Sequence, residues 1–187
     1  MRAILTYHSV DTSGSVISTS PSLLERHIRW LTSGRVAVLP LEELLAPPDE
    51  RDALAITFDD AFANFRTEAW PRLRESGLPV TLFVPTGFVG KTNTWGDTPG
   101  GRMPPLPILD WPALARLPEE GVTLGAHSRT HADLRALNID ALQEEVVGSL
   151  EDLRRETGRR PDAFAYPYGY WNARAVSVST QTESTIE

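Results

Sequence analysis

The chain has 187 residues, of which 41% are hydrophobic and 23% charged, a composition typical of a folded globular domain and not of a disordered segment. It contains no cysteine, which excludes a disulfide framework, a thiolate zinc site and a cysteine nucleophile, so any metal must be held by His, Asp and Glu. The 25 acidic and 18 basic side chains give a net charge of −7, and the basic ones form no run in the sequence, so we expect no nucleic-acid partner.

The sequence contains no segment with the features of a membrane span or a leader. No apolar run approaches the roughly 20 residues that a transmembrane helix needs. The first residues carry one positive charge but lack the long apolar core and the cleavage site of a signal peptide. We therefore expect a cytoplasmic protein, or a secreted one only if a precursor segment has been removed.

Short apolar segments alternate with stretches of helical periodicity along the chain. The apolar segments predict strands over residues 3–7, 36–39, 53–58, 80–84, 122–126 and 163–166. The periodic stretches predict helices over residues 21–33, 41–45, 62–76, 111–117 and 139–157. This alternation predicts an α/β fold with a parallel sheet and right-handed crossovers, either open or closed into a barrel.

Two further segments differ in composition from the rest. Residues 85–107 are rich in Gly, Pro, Asn and Thr and predict a long loop of the kind that often carries function. Residues 175–187 are rich in Ser and Thr and show little hydrophobic periodicity. We expect one domain over residues 1–174, followed by a polar tail that is disordered or marks a truncated domain.

Polar side chains follow four of the predicted strands, and the carboxyl ends of parallel strands are where such folds bind ligands. They are His8, the pair Asp59 and Asp60, the segment HSRTH at residues 127–131, and the segment PYG at residues 167–169. The two histidines of HSRTH are four residues apart, so on a helical turn both rings could reach one ion. Without a metal, the two histidines would be ordinary surface residues and the two adjacent acids would cap the start of a helix.

Taken together, one of the two aspartates and the two imidazoles make a three-ligand metal set that leaves positions open for water and substrate. A divalent ion lowers the pKa of bound water from about 15.7 to about 7, and the second carboxylate could take the proton. Backbone N–H groups near a Pro-rich turn could stabilise an oxyanion. These parts predict the hydrolysis of an amide or an ester.

Three motifs, in this order and spacing, resemble those of the polysaccharide deacetylases, the NodB-homology domains of carbohydrate esterase family four. They are TFDD at residues 57–60, HSRTH at residues 127–131 and FAYPYG at residues 164–169. The resemblance covers roughly residues 3–172. It implies a distorted (β/α) barrel of about seven strands and the metal-dependent removal of acetyl groups from N-acetylated sugar units of an oligosaccharide or polysaccharide.

The resemblance also implies roles for individual residues. Asp59 matches the general base of the family. The metal ligands, usually of zinc with Co2+, Ni2+ or Fe2+ as alternatives, match Asp60, His127 and His131. Tyr168 matches the residue whose backbone N–H helps to polarise the acetyl carbonyl, with Pro167 and Gly169 shaping the groove wall.

One departure concerns the general acid. The family's leucine-x-histidine motif, which supplies it, has no counterpart, because His131 is the last histidine of the chain. Either the chain is truncated and the enzyme impaired, or His8 supplies the acid, its alternative role being a structural hydrogen bond at a strand end. Trp95 and Trp171 are candidates for stacking on sugar rings.

Two other functions remain open from the residues. One is a related metal amidohydrolase acting on a small non-sugar amide, since the same site suits both substrates. The other is a catalytically impaired carbohydrate-binding relic, which the missing motif and the polar tail favour.

Overall fold

The computed structural model describes residues 1–46, 52–95 and 103–181. Within them the strands are β1 (Arg2–Tyr7), β2 (Ser9–Val10), β3 (Ser18–Thr19), β4 (Ala37–Val38), β5 (Ala53–Phe58), β6 (Val80–Val84) and β7 (Val122–Ala126). The α-helices are α1 (Pro21–Leu31), α2 (Leu41–Leu45), α3 (Trp70–Glu75), α4 (Trp111–Glu120), α5 (Ile139–Thr157) and α6 (Ala173–Gln181). No helix in this described part is both long and apolar enough to cross a membrane.

Five strands form one parallel sheet, which confirms the predicted α/β fold. Its hydrogen-bonded order is β1-β5-β6-β7, and β4 pairs with the first residues of β5. The register between β1 and β5 runs from Arg2 opposite Ala53 to Tyr7 opposite Phe58. Every residue of β5 and β6 is buried, as expected for parallel strands covered on both faces.

Two details of the strands differ from those predicted from the sequence. The strand predicted at residues 163–166 is reduced to one parallel bridge between Ala126 and Phe164. Seven strands are present in the described ranges, and two of them, β2 and β3, form a separate two-stranded ribbon. Strands of two residues are too short for a periodic pattern, which is why the sequence did not predict the ribbon.

Helix α1 begins as its sequence indicates, and the helix predicted at residues 62–76 is divided. The Ser20 hydroxyl accepts a hydrogen bond from Leu23 N–H, and Pro21 follows at the start of α1. A π-helical turn over Phe65–Ala69 leads directly into α3, which has Pro71 in its first turn. The core lies between the sheet and these helices, and its largest fully buried side chains include Phe58, Phe62 and Phe65.

Residues 175–181, which the sequence analysis assigned to a polar tail that is disordered or marks a truncated domain, belong to helix α6. Ala175 and Val178 are buried against Leu142 and Val146 of α5. Two apolar residues three positions apart were enough to dock a helix because α5 presents a matching apolar face. Residues 182–187, and residues 96–102 of the predicted long loop, lie outside the described residues.

Candidate active site

Three buried side chains meet at the carboxyl end of the sheet: Asp60, His127 and His131. Asp60 follows β5 by two residues and His127 directly follows β7, where its N–H donates to Val84 O at 3.0 Å. One donor atom from each side chain lies within 4.8 Å of the other two. The three predicted ligands are thus brought together at the ends of β5 and β7, the two strands that flank β6 in the sheet.

The geometry of this cluster fits a single divalent cation. Asp60 Oδ1 lies 3.3 Å from His131 Nε2 and 3.7 Å from His127 Nε2. Ligand atoms placed tetrahedrally about 2.1 Å from an ion are about 3.4 Å apart. Within the described residues, Asp60 Oδ1 has no hydrogen-bond partner although it is buried, a costly arrangement that a cation would relieve.

The orientation of His127 is set by a contact on the far side of its ring. Its Nδ1 lies 2.9 Å from Ala165 O, so Nδ1–H donates to that carbonyl and the lone pair of Nε2 faces Asp60. Burial lowers the pKa of His127 to about 4, with the charge of Asp60 opposing the shift. The ring is therefore neutral at pH 7, the form in which imidazole binds metals.

The sequence analysis assumed that the two histidines lie on a helical turn. In the structure they lie on an irregular loop. Ser128 and His131 have φ angles of 61° and 56°, in the left-handed region that non-glycine residues rarely adopt. Asp60, with φ 71°, and Ala61, with φ 51°, do the same in the other half of the site. Such residues cost of order 1–3 kcal/mol each and persist only where their surroundings hold them.

Asp59 differs from its neighbour in electrostatics. Burial, reinforced by the charge of Asp60, raises the pKa of Asp59 to about 7. Burial would also raise the pKa of Asp60, but the adjacent His131 and His127 rings hold it below its ordinary value. Asp59 also lines a cavity of about 330 Å³ beside Phe83. One carboxylate is therefore suited to bind a cation and the other to exchange a proton near neutral pH.

His8 follows β1 and is half-buried at the same end of the sheet. Burial lowers the pKa of His8, while the charge of Asp60 raises it and that of His131 lowers it. These interactions place the ring within electrostatic reach of the cluster.

Aromatic side chains surround His131. Trp95 is stacked on its ring, with centroids 4.5 Å apart, and Tyr168 meets it edge-on at 4.7 Å. Trp95 is only partly exposed because His131 and Phe88 cover it, so one of its faces is not available to a sugar. Tyr168 has a left-handed φ of 59°, and Pro167 before it is buried.

Three exposed aromatic residues follow Pro167 in the chain, namely Tyr168, Tyr170 and Trp171, which are 48%, 45% and 63% exposed. We call these three residues the aromatic platform. The rings of the two tyrosines are 5.8 Å apart, with Gly169 between them in the chain. The Arg135 guanidinium lies over the Tyr170 ring at 3.8 Å. Sequence analysis did not single out Tyr170 or Arg135, although the run YGYW at residues 168–171 was a visible signal.

Comparison with known proteins agrees with these motifs. The family model described as polysaccharide deacetylase matches residues 46–186. The protein YxkH of Bacillus subtilis (strain 168) is 24% identical over 185 residues, which are 96% of this chain and 61% of YxkH. Poly-beta-1,6-N-acetyl-D-glucosamine N-deacetylase of Staphylococcus aureus is 34% identical over 80 residues, 41% of this chain and 28% of that protein.

Solved structures show the same fold. The structure of IcaB from Ammonifex degensii superimposes with a TM-score of 0.82 at 20% identity, covering 96% of this chain and 79% of that chain. The present chain spans about three fifths of the length of YxkH and less of the enzyme from Staphylococcus aureus.

Proposed function

Because the chain belongs to the polysaccharide deacetylase family, we propose that it is a metal-dependent hydrolase that removes acetyl groups from N-acetylated sugar units of an oligosaccharide or polysaccharide. The observation that carries this proposal is the buried cluster of Asp60, His127 and His131 with Asp59 beside it. A metal set with a free carboxylate next to it is the arrangement that hydrolysis of an acetamide requires.

Asp60, His127 and His131 would hold the metal, and two nitrogen donors with one oxygen donor suit zinc. When bound, zinc acts as a Lewis acid and lowers the pKa of coordinated water towards neutrality. The position that the three protein ligands leave open is where water and the acetyl group would meet.

Asp59 is the proposed general base. Its pKa of about 7 and its place next to Asp60 allow it to accept a proton from the attacking water at neutral pH. The backbone N–H of Tyr168 is proposed to donate to the acetyl carbonyl oxygen as negative charge develops on it. The unusual backbone of Tyr168 supports this role, since strained residues concentrate where a site demands a particular geometry.

His8 is the proposed general acid, which protonates the amine nitrogen as the carbon–nitrogen bond breaks. Its partly buried ring next to the cluster supports this role. The test is His8→Ala: acetate release should fall at least about 100-fold while Zn2+ affinity changes little. Unchanged turnover in that variant would remove His8 from the reaction.

The proposed substrate is a polymer of N-acetylglucosamine. The aromatic platform supports it, because tyrosine and tryptophan faces bind the apolar faces of sugar rings. The relative from Staphylococcus aureus is named for poly-beta-1,6-N-acetyl-D-glucosamine, which makes β-1,6-linked oligosaccharides the first substrate to try.

The deciding experiment measures acetate release from β-1,6-linked N-acetylglucosamine oligosaccharides by protein loaded with Zn2+, with and without a chelator. We expect release that stops on chelation and is absent in Asp60→Asn. Protein that takes up Zn2+ and binds oligosaccharide without releasing acetate would overturn the proposal in favour of a carbohydrate-binding protein. Release from small cyclic amides but not from sugars would overturn the substrate class.

A further inference from the structure

The loop 127–131, which carries both histidine ligands, is held by two other parts of the fold. On one side, Thr86 N–H donates to Ser128 O at 3.1 Å and Gly87 N–H donates to Arg129 O at 2.9 Å. A Cβ at Gly87 would lie 2.7 Å from Arg129 O, so this approach requires glycine. On its other side the loop faces helix α5, which begins eight residues after His131.

Glu145 of α5 accepts three hydrogen bonds from two consecutive loop residues. Its Oε2 accepts from the N–H groups of Arg129 and Thr130, at 2.9 and 2.8 Å. Its Oε1 accepts from the Thr130 hydroxyl at 2.6 Å. Two successive N–H groups can reach one oxygen only if the backbone curls around it, so this carboxylate constrains the chain between the two histidines.

Asp152, two turns further along α5, binds the side chain of Arg129. It accepts from Arg129 Nε at 2.8 Å and from Arg129 Nη2 at 3.0 Å, a forked ion pair. It also accepts from the Thr86 hydroxyl at 2.9 Å. Asp152 is only 9% exposed. One buried carboxylate therefore joins the loop to the segment that supports it from the other side.

Gly148 lies on α5 between these two carboxylates, beneath the Arg129 guanidinium. A Cβ at this position would lie 2.4 Å from Arg129 Cζ and 2.6 Å from Arg129 Nε. Glycine within a helix costs about 1 kcal/mol relative to alanine. The close passage of the arginine explains why glycine occupies this position.

We propose that Glu145, Gly148 and Asp152, the α5 clamp, are positioning residues that hold the loop 127–131 in the conformation in which both histidines bind the metal. The inference rests on the proposed function, because it assumes that the cluster binds a metal ion. No contact joins any of the three residues to that cluster in the part of the chain that the structure describes, so they would act through Arg129, Thr130 and Thr86.

The physical reason lies in the backbone of the loop. Ser128 and His131 both have left-handed φ angles, and contacts within the loop are few: the Ser128 hydroxyl accepts from His131 N–H at 3.0 Å. Bonds from α5 supply the restraint that such a conformation needs. Without them the loop would relax towards ordinary backbone angles, and the His131 ring would move relative to Asp60.

The test is the affinity for Zn2+ of Glu145→Gln, Gly148→Ala and Asp152→Asn, measured by competition with a chromophoric chelator. We expect the dissociation constant to rise about tenfold or more in each, in line with other residues that orient metal ligands. The matched control is Glu151→Gln. Among the described residues this carboxylate of the same helix pairs only with the exposed Arg154, so the Zn2+ affinity of the variant should not change. Co2+ absorption spectra of the same variants should show altered coordination.

Thermal unfolding of the metal-free variants separates positioning from general stability. Variants that melt earlier but bind Zn2+ with unchanged affinity and give an unchanged Co2+ spectrum would overturn the inference. Glu145 is partly exposed, so we expect Glu145→Gln to fold. Its Zn2+ affinity therefore tests the inference even if Asp152→Asn does not fold. If the unaltered protein does not bind Zn2+, both the proposed function and this inference are overturned. If all variants bind Zn2+ as tightly as the unaltered protein, only this inference is overturned.

Discussion

The indole of Trp95 lies against the imidazole of His131, with ring centroids 4.5 Å apart and ring planes inclined by 18°. Phe88 meets the same indole edge-on at 4.6 Å, so the tryptophan lies between a partly buried phenylalanine and a candidate metal ligand. This stacking limits rotation of the His131 ring. Trp95 is therefore a support of the metal cluster as much as a candidate for sugar binding.

Replacing Trp95 should therefore weaken metal binding in proportion to the lost ring contact. We expect Trp95→Ala to raise the dissociation constant for Zn2+ about tenfold, and Trp95→Phe to raise it much less because an aromatic face remains. Isothermal titration with Zn2+ measures both. Equal affinity in Trp95→Ala and the unaltered protein would show that the stacking does not orient His131.

Asp59→Asn should stabilise the metal-free protein above neutral pH while it destroys activity. The folded-state pKa of Asp59, about 7, is raised above the ordinary 3.8, so the folded state binds the extra proton between these values. The protonated Asp59 carboxyl therefore adds to the free energy of unfolding. This contribution is complete below pH 3.8 and is lost as the pH rises through 7. Removing the carboxylate should raise stability by about 2–4 kcal/mol at pH 8 and by little at pH 3.5.

Urea unfolding of the metal-free proteins at the two pH values checks this prediction. The same variant, loaded with Zn2+, should release acetate at least about 100-fold more slowly. A stability difference that does not depend on pH would contradict the raised pKa of Asp59. Retained acetate release would contradict its role as the base.

The aromatic platform should affect substrate affinity without affecting the chemical step. We expect Tyr170→Ala and Trp171→Ala to raise KM for longer oligosaccharides about fivefold to tenfold, with kcat nearly unchanged, because stacking contributes equally to the ground and transition states. Trp30, 47% exposed on α1, provides the control Trp30→Ala. An unchanged KM in the platform variants would place the sugar elsewhere.

Helix α6 should contribute measurably to the stability of the domain. Val178 is buried against α5, so Val178→Ala should lower the free energy of unfolding by about 2 kcal/mol. Val176, on the same helix but only partly buried, is the matched comparison, and Val176→Ala should cost less. Equal and negligible losses in both variants would favour the earlier expectation of a tail that does not pack.

Several elements were predictable because their sequences carry a local signal. The bounds of β5, β6 and β7 are those predicted, since each strand is a short and mostly apolar run. The residues of β5 and β6 are all buried, as expected for parallel strands covered on both faces. Helix α2 also has its predicted bounds. Helix α6 was missed because its apolar pattern is weak and the surface that stabilises it belongs to α5.

The amino-acid sequence alone determined which side chains gather at the site. Parallel strands end at one edge of the sheet, so the residues that follow them, Asp60, His127 and His131 among them, had to lie close together. It could not determine the left-handed loop between the histidines, the stacking of Trp95 or the carboxylates of Glu145 and Asp152 that hold the loop. Those features depend on contacts between residues that are far apart in the sequence, from Thr130 with Glu145 to Gly87 with Arg129. Local periodicity carries no information about such contacts, and only the packing of the whole chain decides them.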